Sequence, residues 1–280
     1  MTDRFLIGDF PFRLTAPEDL PVPDNFLKFR ADVPPAYAYR LGWADELPAL
    51  DGPVLARRTA LTVCGSPEQE QRGLLLAGAP LAVYRETAPD AADVAILRAQ
   101  GSMLCVDTVF VSLLALERRM LARDGLILHC AYVRTPRGAI LFSGPSGIGK
   151  STQGGLWVQH RGAEVHNGDR ALLQCLDGRW TARGWPVCGS SCICTPCDTP
   201  IRAVVLLEQR PENRAERLRS AQAFLQLFPQ ITVNRWNPAA ADRAAGLLER
   251  LIAAVPVLRL GCTVSAEAVD CLEAALEACP

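Results

Sequence analysis

The chain has 280 residues, 49% of them apolar and 21% charged, an ordinary globular composition with room for one large domain or two modest ones. Its formal net charge of −1 lacks the basic footprint of a nucleic-acid binder, and no apolar run approaches the roughly 20 residues that span a bilayer. The N-terminus, with Asp3, Phe5 and Asp9, has no charged-then-apolar signal region, so a cytoplasmic protein is expected, with its 11 cysteines mostly reduced.

The first hundred residues are broken by prolines at 11, 17, 21, 23, 34 and 35. Arg4–Ile7, Ala60–Val63 and Leu81–Tyr84 read as strands, the last after a turn at Gly78-Ala79-Pro80. This region, residues 1–104, is expected to be small, mostly β and without a chemical signature. From residue 105 a second domain is expected to run to residue 280. It opens with one helix carrying Val106, Val109, Phe110, Leu113, Leu114, Leu116, Met120 and Leu121 on its apolar side, with Glu117, Arg118 and Arg119 on or near the wet face. Asp124-Gly125 ends it. Leu126–Val133 and Ala139–Ser143 read as the strands of a hairpin around Thr135-Pro136-Arg137-Gly138.

A short helix follows at Ser151–His160, weakened by Gly154 and Gly155, whose place there implies close packing. Ala163–Asn167 and Arg202–Glu208 read as strands, with an ordinary hairpin turn at Asp177-Gly178 between them. Ala221–Phe228 and Ala239–Ala254 read as helices and Val257–Leu260 as a last strand. Ser265 is placed to cap a final helix reaching Cys279. The fold class expected is α/β, a mixed sheet with a phosphate-binding loop, plus the smaller N-terminal region.

Gly144-Pro145-Ser146-Gly147-Ile148-Gly149-Lys150-Ser151 has two glycines separated by four residues, then Lys and Ser, between an apolar strand and a helix. The glycines let the backbone curl so that successive N–H groups point at phosphate oxygens. Lys150 brings a positive charge to the β- and γ-phosphates, and the Ser151 hydroxyl can reach a magnesium ion. The helix start adds the positive end of its dipole. The expected nucleotide contacts are Gly144, Ser146, Gly147, Ile148, Gly149, Lys150, Ser151 and Thr152, and the expected ligand is ATP with Mg2+.

Such a loop needs a carboxylate to complete the magnesium site. Asp169 is the candidate, since it follows the first strand after the loop's helix; the competing reading is a surface-turn ion pair with Arg170. His129 lies in the strand before the loop's own strand, so its imidazole can approach the phosphates if those strands pair. By itself a strand histidine is more often structural.

The segment from Leu128 to Leu172 resembles the HPr kinase/phosphatase and phosphoenolpyruvate carboxykinase-like family. Three features carry the resemblance: Leu128-His129-Cys130 fifteen residues before Gly144, the loop Ser146-Gly147-Ile148-Gly149-Lys150-Ser151, and the short step from Lys150 to Asp169. The rest of the chain resembles the kinase-type members only diffusely. The resemblance implies ATP-dependent phosphorylation of a hydroxyl, often a serine, with His129 in the active site and Asp169 as the metal-binding carboxylate. The chain departs from the pattern at Gly168, where members commonly carry a first aspartate thought to serve as base. The clear phosphatase-linked motif downstream is also missing.

Cys188, Cys192, Cys194 and Cys197 are too closely spaced for the two separated pairs of a usual structural zinc site, and no bound metal is expected there. The surrounding Gly184–Ser191 stretch reads as a substrate-facing loop. The leading expectation is a kinase using Lys150, Ser151, Asp169 and His129 on a peptide, protein or small-molecule acceptor. The alternatives are a nucleotide-binding regulator without turnover and a carboxykinase-type phosphotransferase.

Overall fold

Side chains that alternate between a buried and a wet face build the first part of the chain into a mixed eight-stranded sheet. In the computed structural model, which describes residues 1–279, its strands are β1 (Thr2–Ile7), β2 (Phe10–Thr15), β3 (Tyr37–Ala44), β4 (Val54–Arg58), β5 (Leu61–Gly65), β6 (Glu70–Leu76), β7 (Ala79–Ala88) and β8 (Ala91–Leu97). Their spatial order is β1-β2-β3-β8-β7-β6-β5-β4. The β2–β3 and β3–β8 pairs are parallel and the others antiparallel. The turn into β7 is Ala77-Gly78, with φ of 49° and 84°, the two-residue geometry hairpins favour. Ala79 and Pro80, expected in the turn, already belong to β7.

After the short α1 (Asp24–Leu27), the single helix expected from Val106 to Leu121 is interrupted. It divides into α2 (Asp107–Ser112) and α3 (Leu116–Ala122), with Ala115 between them at φ 47°. Leu113, Leu114, Ala115 and Leu116 are all fully buried. Four consecutive buried residues do not fit the one apolar stripe of a continuous helix. Glu117, Arg118 and Arg119 are not on a wet face either. Glu70, Arg72 and Glu86 occupy buried positions of β6 and β7, and buried charges require partners. Arg72 pairs with Glu70 at 2.7 Å and with Glu117 at 2.6 Å. Arg118 reaches Glu86 at 2.9 Å, and Arg119 also pairs with Glu86.

The chain divides into two units, Met1–Arg119 with Asn234–Ala239, and Met120–Val233 with Ala240–Pro280. In the second, β9 (Leu126–Thr135) and β10 (Gly138–Ser143) form the expected antiparallel hairpin. After α4 (Lys150–Arg161), β11 (Glu164–Asn167) pairs antiparallel with β9. A hairpin of β12 (Arg170–Leu176) and β13 (Arg179–Arg183), turning at Asp177-Gly178, links β9 to the start of β14 (Asp198–Gln209). β14 runs parallel to β10 and to β16 (Val257–Cys262), which also pairs with β15 (Arg214–Arg217). The remaining helices are α5 (Ser220–Leu227), α6 (Pro238–Ala254) and α7 (Ala266–Glu277).

Alternation along β9 and β10 feeds two cores. Ala131, Val133, Ile140 and Phe142 pack with Trp157 of α4 and Leu272 of α7. Leu128, Cys130, Tyr132 and Leu141 pack with Leu227 of α5 and Leu248 of α6. Close approach of α4 to the sheet depends on Gly154, where a Cβ would stand 3.3 Å from Val133 Cγ2; Gly155, expected to act likewise, has open space around it. Ser265 stands at the N-cap of α7, but its hydroxyl makes no capping hydrogen bond. Among the described residues no helix is long and apolar enough to cross a membrane.

Candidate functional site

The β9–β10 hairpin sets the entry to the glycine-rich loop. Ser143 Oγ donates to His129 O at 2.8 Å, tying the end of β10 to its partner strand. Gly144, Gly147 and Gly149 then adopt φ of 142°, 78° and 113°, conformations that a Cβ strongly disfavours. They turn the chain directly into α4. Ser146, Gly147, Ser151 and Thr152 are exposed, and Ile148 is half-buried. The first turn of α4 presents unpaired N–H groups and the positive helix end, a favourable place for an anion. The Lys150 ammonium donates to Gly144 O at 3.0 Å and Pro145 O at 3.1 Å, which holds it against the loop. Burial pushes the Lys150 pKa down, and the Asp169 carboxylate opposes that shift.

His129 lies two residues before Ala131, and so on the face of β9 that α4 covers. Its Nε2 is 3.6 Å from Asp169 Oδ1, and its Nδ1 is 3.4 Å from Gln230 Oε1. Burial and, next, the Lys150 charge hold the imidazole below its ordinary pKa, with Asp169 pulling the other way. Lys150, His129 and Asp169 therefore lie within electrostatic reach of one another. Asp169 arrives beside His129 because β12 pairs with β9, placing Arg170 opposite His129. The pairing is antiparallel, and β11, the strand before Asp169, is antiparallel to β9 as well.

A buried asparagine sets the turn that carries Asp169. Asn167 Oδ1 accepts from the Asp169 and Arg170 N–H groups, both at 2.9 Å, an Asx-type turn. Its Nδ2 donates to Trp185 O at 2.9 Å and Val187 O at 3.0 Å. The Asp169 carbonyl accepts from Cys130 N at 2.9 Å. Arg170 does pair with Asp169, Nε to Oδ2 at 3.0 Å, but both side chains are largely shielded and Arg170 also donates to Thr232 Oγ1 at 3.1 Å. The ion pair and a site role for Asp169 are thus compatible.

A divalent cation bound at this loop would draw on the Asp169 carboxylate and the exposed Ser151 hydroxyl. Among the described residues no cluster of three or more His, Cys, Asp or Glu side chains is arranged to hold a metal. Magnesium commonly takes only one or two carboxylates and completes its shell with water and phosphate oxygens, so one carboxylate and one hydroxyl fit its donor chemistry. The four clustered cysteines lie in different settings: Cys188 and Cys194 are buried, Cys192 is exposed, and Cys197 contacts His166.

The Gly184–Ser191 stretch reaches this site through its end. A Cβ at Gly168 would stand 2.3 Å from both Cβ and Oγ of Ser191. Ser191 is anchored in turn, its Oγ donating to Cys188 O at 2.6 Å and accepting from Ile193 N at 3.2 Å. At Gly189 a Cβ would stand 3.1 Å from Asp169 Cβ. The space into which a side chain at position 168 would extend is filled by Ser191. Gly168→Ala is therefore expected to lower stability by about 1–3 kcal/mol, measured by chemical denaturation, and Ser191→Gly should restore most of the loss. An equal loss with and without Ser191 would mean the contact is not the cause.

Asn167 and Gln230 are the neighbours that sequence reasoning missed, whereas Arg170 was read there as the ion-pair partner of Asp169 and Ser191 as the end of the Gly184–Ser191 loop. Asn167-Gly168 is a turn dipeptide, and that is the one local signal either missed neighbour gives.

The sequence matches no protein-family model and no curated protein. Among solved structures, the Hpr(Ser) kinase/phosphatase from Coxiella burnetii aligns over 54% of this chain and 93% of that chain, with 11% identity and a TM-score of 0.31. That is a weak structural likeness to a kinase.

Proposed function

We propose that the chain binds ATP, or a similar nucleoside triphosphate, with magnesium at Gly144–Thr152 and transfers the γ-phosphate to a hydroxyl of a peptide, protein or small molecule. The observation that carries this reading is the meeting of a glycine-rich strand–loop–helix turn with Lys150, Asp169 and His129 at one sheet end. The loop N–H groups and the α4 N-terminus hold phosphate oxygens, and Lys150 turns from its loop carbonyls to the phosphates. Asp169 and Ser151 hold the cation, which when bound neutralises charge on the transferred group. His129 orients the acceptor or takes its proton, and Gln230 and Asp169 fix the imidazole. The loose transition state of phosphoryl transfer asks little of a base, so a glycine at 168 is tolerable.

Ser191 filling the space beside Gly168 favours a second reading, a nucleotide-binding regulator without turnover. Purified protein given γ-labelled ATP and cell extract separates the two. Labelling of an extract component, dependent on this chain and on magnesium, is the outcome expected. Tight nucleotide binding with no transfer would leave the regulator.

His129→Ala is expected to keep ATP affinity, because the loop, Lys150 and the cation supply the binding. Transfer should slow by about 10²–10⁴-fold, the usual contribution of a positioned acid–base group. Wild-type transfer rates in a folded variant would reduce His129 to a structural residue.

A further inference from the structure

A second cluster of reactive side chains lies at the other end of β10, around its hairpin with β9. His166 on β11 contacts the Cys197 sulfur through Nδ1, and its Nε2 is 3.1 Å from Glu164 Oε2. Glu164 also meets Arg134 at 3.4 Å. The carboxylate receives the Nε2 proton and so leaves Nδ1 to accept from the thiol. Tyr132 places its hydroxyl 3.5 Å from the same sulfur while donating to Thr199 Oγ1 at 2.7 Å. His166 is buried, and Cys197 is partly exposed. This is the ordered base–thiol arrangement that makes a cysteine nucleophilic.

Cys197 and His166 open onto a cavity of about 550 Å3 that is also lined by Arg134, Arg137, Arg179 and Asp198. Asp198 is held by Arg183 at 2.9 Å. Arg137 meets Glu277 at 2.9 Å in a solvent-exposed pair, and exposed pairs of this kind are weak enough to yield to a bound anion. Arg179 is exposed, with no ion pair among the described residues. The cavity thus joins a base-paired thiol to an excess of guanidinium groups. It shares no residue with the Gly144–Thr152 site.

We propose that Cys197, activated by His166, forms a mixed disulfide with an anionic low-molecular-weight disulfide held by Arg134, Arg137 and Arg179. Burial raises the Cys197 pKa, so the resting group is the thiol and its proton must move to His166 Nδ1 as the sulfur attacks. A bond forms from Cys197 Sγ to one sulfur of the ligand, and the ligand S–S bond breaks. The departing thiolate takes the proton back from His166. The products are the mixed disulfide and one free thiol, with no other oxidant required.

The test uses the whole reduced chain, glutathione disulfide as the anionic probe and cystamine as the cationic one, with rates at each cysteine read by peptide mass mapping. With glutathione disulfide, Cys197 should react at least about tenfold faster than the exposed Cys105 and Cys175. His166→Gln should slow Cys197 by about tenfold or more. Arg179→Ala, an exposed change that leaves the thiol pair intact, should slow the reaction with glutathione disulfide and not with cystamine. Equal rates at Cys197 and the exposed thiols, or no preference for the anionic probe in the wild-type chain, would overturn the proposal even if His166→Gln does not fold.

Discussion

Lys150→Ala is expected to weaken ATP binding by about a hundredfold or more. Hydrogen bonds to a charged group contribute about 1.5–3 kcal/mol each, and about 2.8 kcal/mol corresponds to a hundredfold in affinity. The ammonium's hydrogen bonds are to its own loop, Gly144 O and Pro145 O, so no distant element depends on it and the fold should survive. Phosphate oxygens that lose this donor regain only water, which serves a buried charge poorly. Titration calorimetry of the two proteins measures the difference. Unchanged affinity would count against the whole site.

Asp169→Asn should act on turnover more than on binding. The amide keeps the size of the carboxylate and can still accept from Arg170, and the Asp169 carbonyl that receives Cys130 N is untouched. What is lost is the negative charge a hard divalent cation requires. Magnesium-dependent transfer should fall by about 10²–10³-fold, the scale seen when one stabiliser of transition-state charge is removed. Some magnesium-free nucleotide binding should remain. Rate measurements across a magnesium titration decide the matter, and a variant with the wild-type magnesium profile would make Asp169 a turn residue paired to Arg170.

What the sequence made legible was local. The apolar runs of β9 and β10, the glycine pattern after them, and the Asp177-Gly178 turn each declare themselves within a few residues. The wet face assigned to Glu117, Arg118 and Arg119 failed for a physical reason. Buried positions of β6 and β7 carry Glu70, Arg72 and Glu86 in place of apolar side chains, so charge pairing does there what alternation usually does. A charged residue alone gives no sign that its partner lies 45 residues away, as Glu117 does from Arg72. The α2–α3 break was hidden similarly, because apolar residues at helical spacing also fit two short helices around a left-handed alanine.

At the site the pattern repeats. Lys150 was proposed from the loop motif, Asp169 from its place after the loop's helix and His129 from the resemblance, yet what brings the three near one another is the β12–β9 pairing and the Asn167 bracket across to Trp185 and Val187. Neither has a periodicity to read. The glycine at 168 was visible in the sequence, but the filling of the space beside it by Ser191, from a loop more than twenty residues on, was not.

Hydrogen–deuterium exchange of the wild-type chain, with and without ATP and magnesium, tests the central claim most directly, because it reports where the nucleotide sits as well as whether it binds. Binding at the loop predicts slowed exchange at the amides of residues 144–152, with a second protected stretch at 167–170 that needs magnesium. Exchange at residues 144–152 that is the same with saturating ATP–magnesium as without it would contradict the account.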